Sequence, residues 1–511
     1  MTDLTGIAFN IERLLKFAIH NGIIEKEDVN YARNTLLGLL YADKPYDGEA
    51  AYNHETVEEI LSGILDYCVK SAIIPDNTIT CRDLMGARLM GALTARPSSI
   101  ISKFRALFAE SPQKATEWFY HLSQAVNYIQ TERIKKNRCW LVPTPYGDME
   151  ITINLSKPEK DAVEIARVRT APQTGYPKCQ LCAENEGFFG HANHPARQNL
   201  RLIPIALDNE EWYFQYSPYA YYNEHCIVLK KEHTPMNVTS RTFSRLYEFL
   251  DILPHYFIGS NAGLPVVGGS ILNHDHFQGG RHVFPMQKTA EYSKHIHPNW
   301  PDVTAALIKW PMPVIRLTAS RKKSILQLSA HILETWLCYD DETAGVFSHT
   351  GNTPHNAVTI IARFKPDRQY ETDIVLRNNR ATEEFPLGLF HPHPNLHHIK
   401  KENIGLIEVM GLAILPARLV GETDRIAGIL TGANPVEATG DLAKHADWIS
   451  SLIRRWGTNN TQSAAEQIIR DDIGLLFTEV LSDAGVFKDT EAGRRQFARF
   501  VQTCGMICEP F

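Results

Sequence analysis

Asn273-His274-Asp275-His276-Phe277-Gln278, set just after a glycine-rich stretch, places two histidines one residue apart and a glutamine two further on. In an extended run, side chains alternate between faces, so His274, His276 and Gln278 would point one way and Asp275 the other. One face then holds an imidazole able to ligate a metal or orient its neighbour, an imidazole able to attack, and an amide able to donate to phosphate oxygen. A polar strand edge with ordinary histidines would read the same in isolation. The surroundings decide for phosphate chemistry.

Upstream lies Cys179-Gln180-Leu181-Cys182, in a polar, turn-like setting. This spacing lets both thiolates reach one tetrahedral ion, with two further ligands needed from elsewhere. A redox pair or two idle thiols would look alike, although no strand-CxxC-helix pattern surrounds it. Next comes Glu224-His225-Cys226-Ile227-Val228-Leu229-Lys230-Lys231-Glu232-His233-Thr234-Pro235-Met236, a buried strand followed by a histidine-bearing turn. Residues 240–257 then carry Phe243, Leu246, Phe249, Leu250 and Leu253 at helical spacing, until Gly259 and Asn261 break the pattern. Strand, histidine turn, helix, glycine-rich loop and His-x-His strand form one continuous unit.

That order resembles the histidine-triad superfamily and, within it, the class II bacterial galactose-1-phosphate uridylyltransferases. The resemblance extends to Asn352-Thr353-Pro354-His355-Asn356 and to Leu396-His397-His398-Ile399-Lys400-Lys401-Glu402-Asn403-Ile404-Gly405. Carried over position by position, it implies that His276 is the covalent nucleophile and that Gln278 hydrogen-bonds the transferred phosphoryl group. It implies a structural zinc on Cys179, Cys182, His233 and His274, and no organic cofactor. Asn261 matches a family asparagine ahead of the glycine-rich loop, and Glu408 matches a helix glutamate that contacts a sugar hydroxyl. Arg281 and His282, just past the triad, are phosphate-contact candidates. Asp275 and Phe277 stand where the class I run has proline and glycine, and the loop before His274 is one residue longer. These departures bear on loop contacts to the nucleotide and leave nucleophile and amide in place.

The implied reaction is a double displacement. Neutral His276 attacks the α-phosphorus of UDP-glucose, glucose-1-phosphate leaves, and galactose-1-phosphate then takes the uridylyl group to give UDP-galactose. Gln278 and backbone N–H groups of Val267, Gly268, Gly269 and Ser270 would meet charge on the phosphoryl oxygens, with the two glycines allowing close backbone approach. Histidine-triad hydrolases carry a third histidine where Gln278 stands. An amide cannot protonate a leaving group, so transfer is favoured over hydrolysis. The alternatives are a nucleotide hydrolase or phosphorylase of the same superfamily and a non-enzymatic zinc-binding module.

The 511 residues, 44% hydrophobic and 22% charged, can bury a large core in more than one structural unit. With 52 basic against 58 acidic residues and a net charge of −6, no attraction to nucleic acid is expected. Nine scattered cysteines suit reduced thiols in cytosol. Met1-Thr2-Asp3-Leu4 opens an amphipathic segment and not a signal core, and no apolar run reaches membrane-spanning length. The expected protein is soluble and cytoplasmic, without membrane association. The class I relatives complete their sites across a dimer, so a homodimer is the assembly the resemblance suggests.

The fold class expected is α+β: two histidine-triad-like antiparallel-sheet halves with helical N-terminal and C-terminal extensions. The segments are a helical extension (1–139), a catalytic half (140–300), a substrate-binding half (301–434) and C-terminal helices (435–511). Ile7, Ile11, Leu14, Leu15 and Ala18 repeat on one helical face. Strands are expected at 140–143, 149–155, 202–206, 212–215 and 226–229, then at 314–317, 324–328, 357–364 and 373–376, with a helix over 405–415. The second half has no HxHxQ run and should bind substrate without reacting. His391, His393, His397 and His398 cluster in sequence, but without cysteine or placed carboxylates they read as ordinary histidines ahead of a second metal site.

Overall fold

Ile7, Ile11, Leu14, Leu15 and Ala18 lie buried along one side of the helix Leu4–His20, as their spacing predicts. Further helices follow at Val29–Leu40, Val57–Lys70, Ile79–Leu93, Pro97–Glu110 and Pro112–Ala125. Their starts are legible locally: Thr56 and Glu59 form a reciprocal capping box, Thr78 caps the next helix, and the last two begin on proline. This computed structural model describes residues 4–50, 52–156, 175–269 and 271–508. They divide into two compact units, Met1–Lys136 with Ser156–Thr234 and His274–Gly280, and Asn137–Leu155 with Pro235–Asn273 and Arg281–Phe511. The architecture is α+β.

In the first unit, strands Ile203–Leu207, Glu210–Tyr216, Cys226–Lys230 and His276–Gly280 pair antiparallel in that order. Phe214, Val228 and Phe277 stand opposite one another across three strands and so share a face. Phe104 and Phe119, from the two proline-led helices, pack their rings on Phe214, and Phe119 also meets Tyr216. Burying several such rings is the main favourable term for this face. The other face, carrying His276 and Gln278, is left for chemistry.

The second unit holds a seven-stranded antiparallel sheet, ordered Ile507–Cys508, Glu291–His297, Trp300–Ile308, Val314–Ala319, Tyr370–Asn378, Asn356–Phe364 and Phe257–Ser260. Helices Ser240–Ile252 and Lys322–Leu337 pack against it. Asp373, fully buried, is bonded by Arg316 and Arg363 from the flanking strands, which outweigh the effect of burial and hold its carboxyl below the usual range. A smaller sheet joins the hairpin Arg138–Thr144 and Gly147–Ile153 to Leu412–Leu415, which runs parallel to the hairpin's second strand. The C-terminal helices Leu419–Leu430, Ala446–Trp456, Gln462–Ala484 and Glu491–Thr503 complete the unit.

Two expectations are corrected. Residues 324–328 are not a strand but part of the helix Lys322–Leu337, where Ile325, Leu328, Ile332, Leu333 and Trp336 are buried at helical spacing. The short run Ile325 to Leu328 is ambiguous by itself, and the helical period shows only when the residues after it are counted. The helix over 405–415 is only Leu406–Val409, followed by the strand Leu412–Leu415. Gly411, at φ 99°, ends the helix and turns the chain into the sheet.

Candidate active site

The strand His276–Gly280 begins at the second histidine, so His274 lies in the bend before it and alternation does not govern its direction. His274 turns instead to the cysteines. Its Nδ1 is 3.2 Å from Cys179 Sγ and 3.7 Å from Cys182 Sγ, while His233 Nδ1 is 3.1 Å from Cys182 Sγ. The two sulfurs are 3.6 Å apart, and all four ligand atoms lie within 4.8 Å of one another. Metal–sulfur bonds of about 2.3 Å and metal–nitrogen bonds of about 2.0 Å on a tetrahedron imply ligand separations of roughly 3.3–3.8 Å, so this donor set fits a cation at its centre. The His274 Nε2–H donates to the Lys230 carbonyl at 2.7 Å, which leaves the Nδ1 lone pair to ligate. Burial pushes the Cys182 thiol up to about 12, so a bound cation must displace that proton.

His276 is buried and its tautomer is set by the backbone. Nδ1–H donates to the His274 carbonyl at 2.8 Å, so Nε2 carries the lone pair. Burial pulls the imidazole down to about 4, against the opposing effect of that carbonyl, and the ring is neutral at physiological pH. Gln278, two residues on, shares its face. Phe277, between them, stacks on Trp212 with ring centroids 4.9 Å apart and planes 12° from parallel. That stacking commits the intervening residue to the aromatic face and so commits His276 and Gln278 to the other. The departure from glycine at this position thus has a packing role.

In the second unit, the Asn261 Oδ1 accepts from the Leu406 N–H at 2.8 Å, tying the end of the strand Phe257–Ser260 to the helix Leu406–Val409. A side chain on Gly268 would come within 2.2 Å of the Ala262 carbonyl oxygen, so glycine is sterically required there by the loop's own folding, while one on Gly269 would come within 2.9 Å of Asn261 Nδ2 and push that side chain aside. Glu408 is buried, accepts from the Gly405 N–H at 3.0 Å and pairs with Lys400 at 2.5 Å. The structure therefore gathers Asn261, Gly268, Gly269 and the turn bearing Glu408. Arg281 directly follows the triad strand and is half-buried, and its neighbour His282 bonds both carboxylate oxygens of Glu150. Ser270 lies outside the described residues.

Sequence reasoning missed two groups. Asn185 Nδ2 donates to the carbonyls of Cys179 and Cys182, both at 2.8 Å, and its Oδ1 accepts from His194 Nε2 at 2.6 Å. In the sequence it is one asparagine three residues past the second cysteine, with nothing to mark this role. The other is His225, 3.3 Å from Gln278 Oε1. The histidines at 391–398 bond mainly to carbonyls: His391 and His397 to that of Pro392, and His398 to that of Asn395. A cavity of about 600 Å³ in the first unit is lined by Glu58, Asp83, Arg133, His194, Arg197 and Tyr219, and not by His276.

Residues 23–235 match the model of the galactose-1-phosphate uridyl transferase N-terminal domain, and residues 249–435 match that of its C-terminal domain. The chain belongs to the galactose-1-phosphate uridylyltransferase family. It is 52% identical over 509 residues to the galactose-1-phosphate uridylyltransferase of Caldanaerobacter subterraneus subsp. tengcongensis, covering 98% of each chain. The Bacillus subtilis galactose-1-phosphate uridylyltransferase is 47% identical over 98% of each chain, and that of Clostridium acetobutylicum is 47% identical over 97% of this chain and 99% of its own. Membership of this family makes the chain a nucleotidyltransferase of galactose metabolism.

Proposed function

We propose that this enzyme moves UMP between UDP-glucose and galactose-1-phosphate in the cytosol, through a uridylyl group held on His276 Nε2. The observation that carries the assignment is the Nδ1–H bond to the His274 carbonyl, because it leaves Nε2 unprotonated and neutral for attack. A bond forms from Nε2 to the α-phosphorus as the bond to glucose-1-phosphate breaks, and the proton on Nδ1 stays against the carbonyl. The imidazolium so formed is a good leaving group. A phosphate oxygen of galactose-1-phosphate then attacks phosphorus, the P–N bond breaks and UDP-galactose departs. Gln278 donates to a phosphoryl oxygen throughout, and loss of one such donor costs about 3 kcal/mol of transition-state stabilisation.

Cys179, Cys182, His233 and His274 would hold zinc, whose preference for two thiolates and two imidazoles matches the donor set. With four protein ligands its chemistry is structural. In the second unit we assign substrate contacts to Asn261, to the backbone of Gly268, Gly269 and Ser270, to Arg281 and to Glu408. Intact mass measurement tests the central step. Incubation with UDP-glucose should add one UMP, galactose-1-phosphate should remove it, and His276→Ala should remain folded without ever gaining it. A mass gain in that variant, or release of free UMP without any acceptor, would overturn the assignment.

A further inference from the structure

His225 immediately precedes the strand Cys226–Lys230, which pairs with the strand His276–Gly280, and is buried. Its Nε2 is 3.3 Å from Gln278 Oε1, whereas its buried Nδ1 has no hydrogen-bond partner among the described residues. A neutral imidazole carries one proton. Placed on Nδ1, that proton would make a buried orphan donor; placed on Nε2, it finds an acceptor and leaves only a lone pair unmatched. The carboxamide of Gln278 must then offer its oxygen to His225. The ring packs between two aromatic neighbours, with the Tyr222 ring 4.5 Å and the Tyr221 ring 5.7 Å away between centroids, and its backbone is fixed by the Ser217 N–H, which donates to the His225 carbonyl at 2.8 Å.

An amide can turn over with little change of shape, and the wrong orientation would set a carbonyl oxygen against phosphoryl oxygen. We propose that His225 is a positioning residue which, by donating from Nε2 to Gln278 Oε1, keeps the amide N–H groups turned to the phosphoryl group on His276. This rests on the reading that Gln278 contacts that group. It divides one role between two side chains: the amide touches substrate, and the imidazole behind it fixes which end does so.

The test is the rate of uridylyl-enzyme formation from UDP-glucose, followed by rapid quench and intact mass. Gln278→Ala should slow it about 100-fold. His225→Phe, which keeps a ring but offers no N–H, should lower kcat about 10-fold with KM little changed, and His225→Gln, which restores a donor, should recover part of the loss. The double variant His225→Phe/Gln278→Ala should be no slower than Gln278→Ala alone. Additive losses in the double variant, or full speed in His225→Phe while Gln278→Ala is slow, would overturn the positioning role and leave the Gln278 reading intact. Full speed in Gln278→Ala would sink that reading itself. Should His225→Phe not fold, nitrogen-15 NMR of the unsubstituted enzyme, assigned by the signals lost in His225→Gln, reads the tautomer directly. A proton on Nδ1 would overturn the proposal.

Discussion

The gathering of Cys179, Cys182, His233 and His274 and the shared face of His276 and Gln278 were readable, the first from the CxxC pair together with the family resemblance and the second from strand alternation. His225 and Asn185 were not, because what they do depends on contacts that no local pattern announces: His225 meets Gln278 across 53 residues. Phe277 is intermediate, since its apolar character was visible but its partner was not. With Trp212 stacked against it, truncation to Phe277→Ala should cost about 3–5 kcal/mol, the usual range for emptying a buried aromatic site. Urea unfolding followed by tryptophan fluorescence measures this. A cost below about 1 kcal/mol would mean that stacking does not dictate which face His276 occupies.

The elements most legible were those with a sustained pattern, such as the helix Leu4–His20 and the strand Asn356–Phe364. Those misread were short. The apolar run within 324–328 fits strand or helix equally, and the turn from Leu406–Val409 into Leu412–Leu415 depends on a hairpin more than 250 residues earlier in the chain. The proposed metal ligands illustrate how short elements can be tied together. His233 follows the strand Cys226–Lys230 and His274 precedes the strand His276–Gly280, so a cation on both, and on the cysteine turn, would clamp the ends of two paired strands. Chelation should therefore remove about 4 kcal/mol of stability if the metal was present at a thousand times its dissociation constant, and lower the unfolding midpoint accordingly. Uridylylation should fall in parallel, because the His274 carbonyl orients His276. Cys182→Ser should reproduce both losses and resist rescue by zinc. Unchanged melting after verified metal loss would remove the clamp.

Across the whole chain, charge and hydropathy narrowed the class of protein without assigning a function. The net charge of −6 argued against nucleic acid, and among the described residues no helix is long and apolar enough to cross a membrane. What composition hides is how many ionisable groups each unit buries. Burial pulls His225 in the first unit down to about 4, and His398 in the second to about 4, with His445 alongside it also lowered by burial although Glu422 bonds its Nε2. Arg418 and Lys444, both beside Glu422, oppose a proton on His445, and Arg418 also opposes one on His398. Unfolded histidine titrates near about 6.5, so between that pH and about 4 the unfolded chain takes up protons that the folded chain refuses. Stability should be whole above about pH 6.5 and fall as the pH drops, by about 1.4 kcal/mol per pH unit for each such histidine in the middle of the window. Depressed carboxyls such as Asp373 act only at lower pH, since their unfolded value is near about 4. Urea unfolding at pH 7.5, 6.5, 5.5 and 4.5 reads the slope. His398→Gln should reduce it with metal content unchanged, and a flat profile down to pH 5 would show that these rings accept protons while folded.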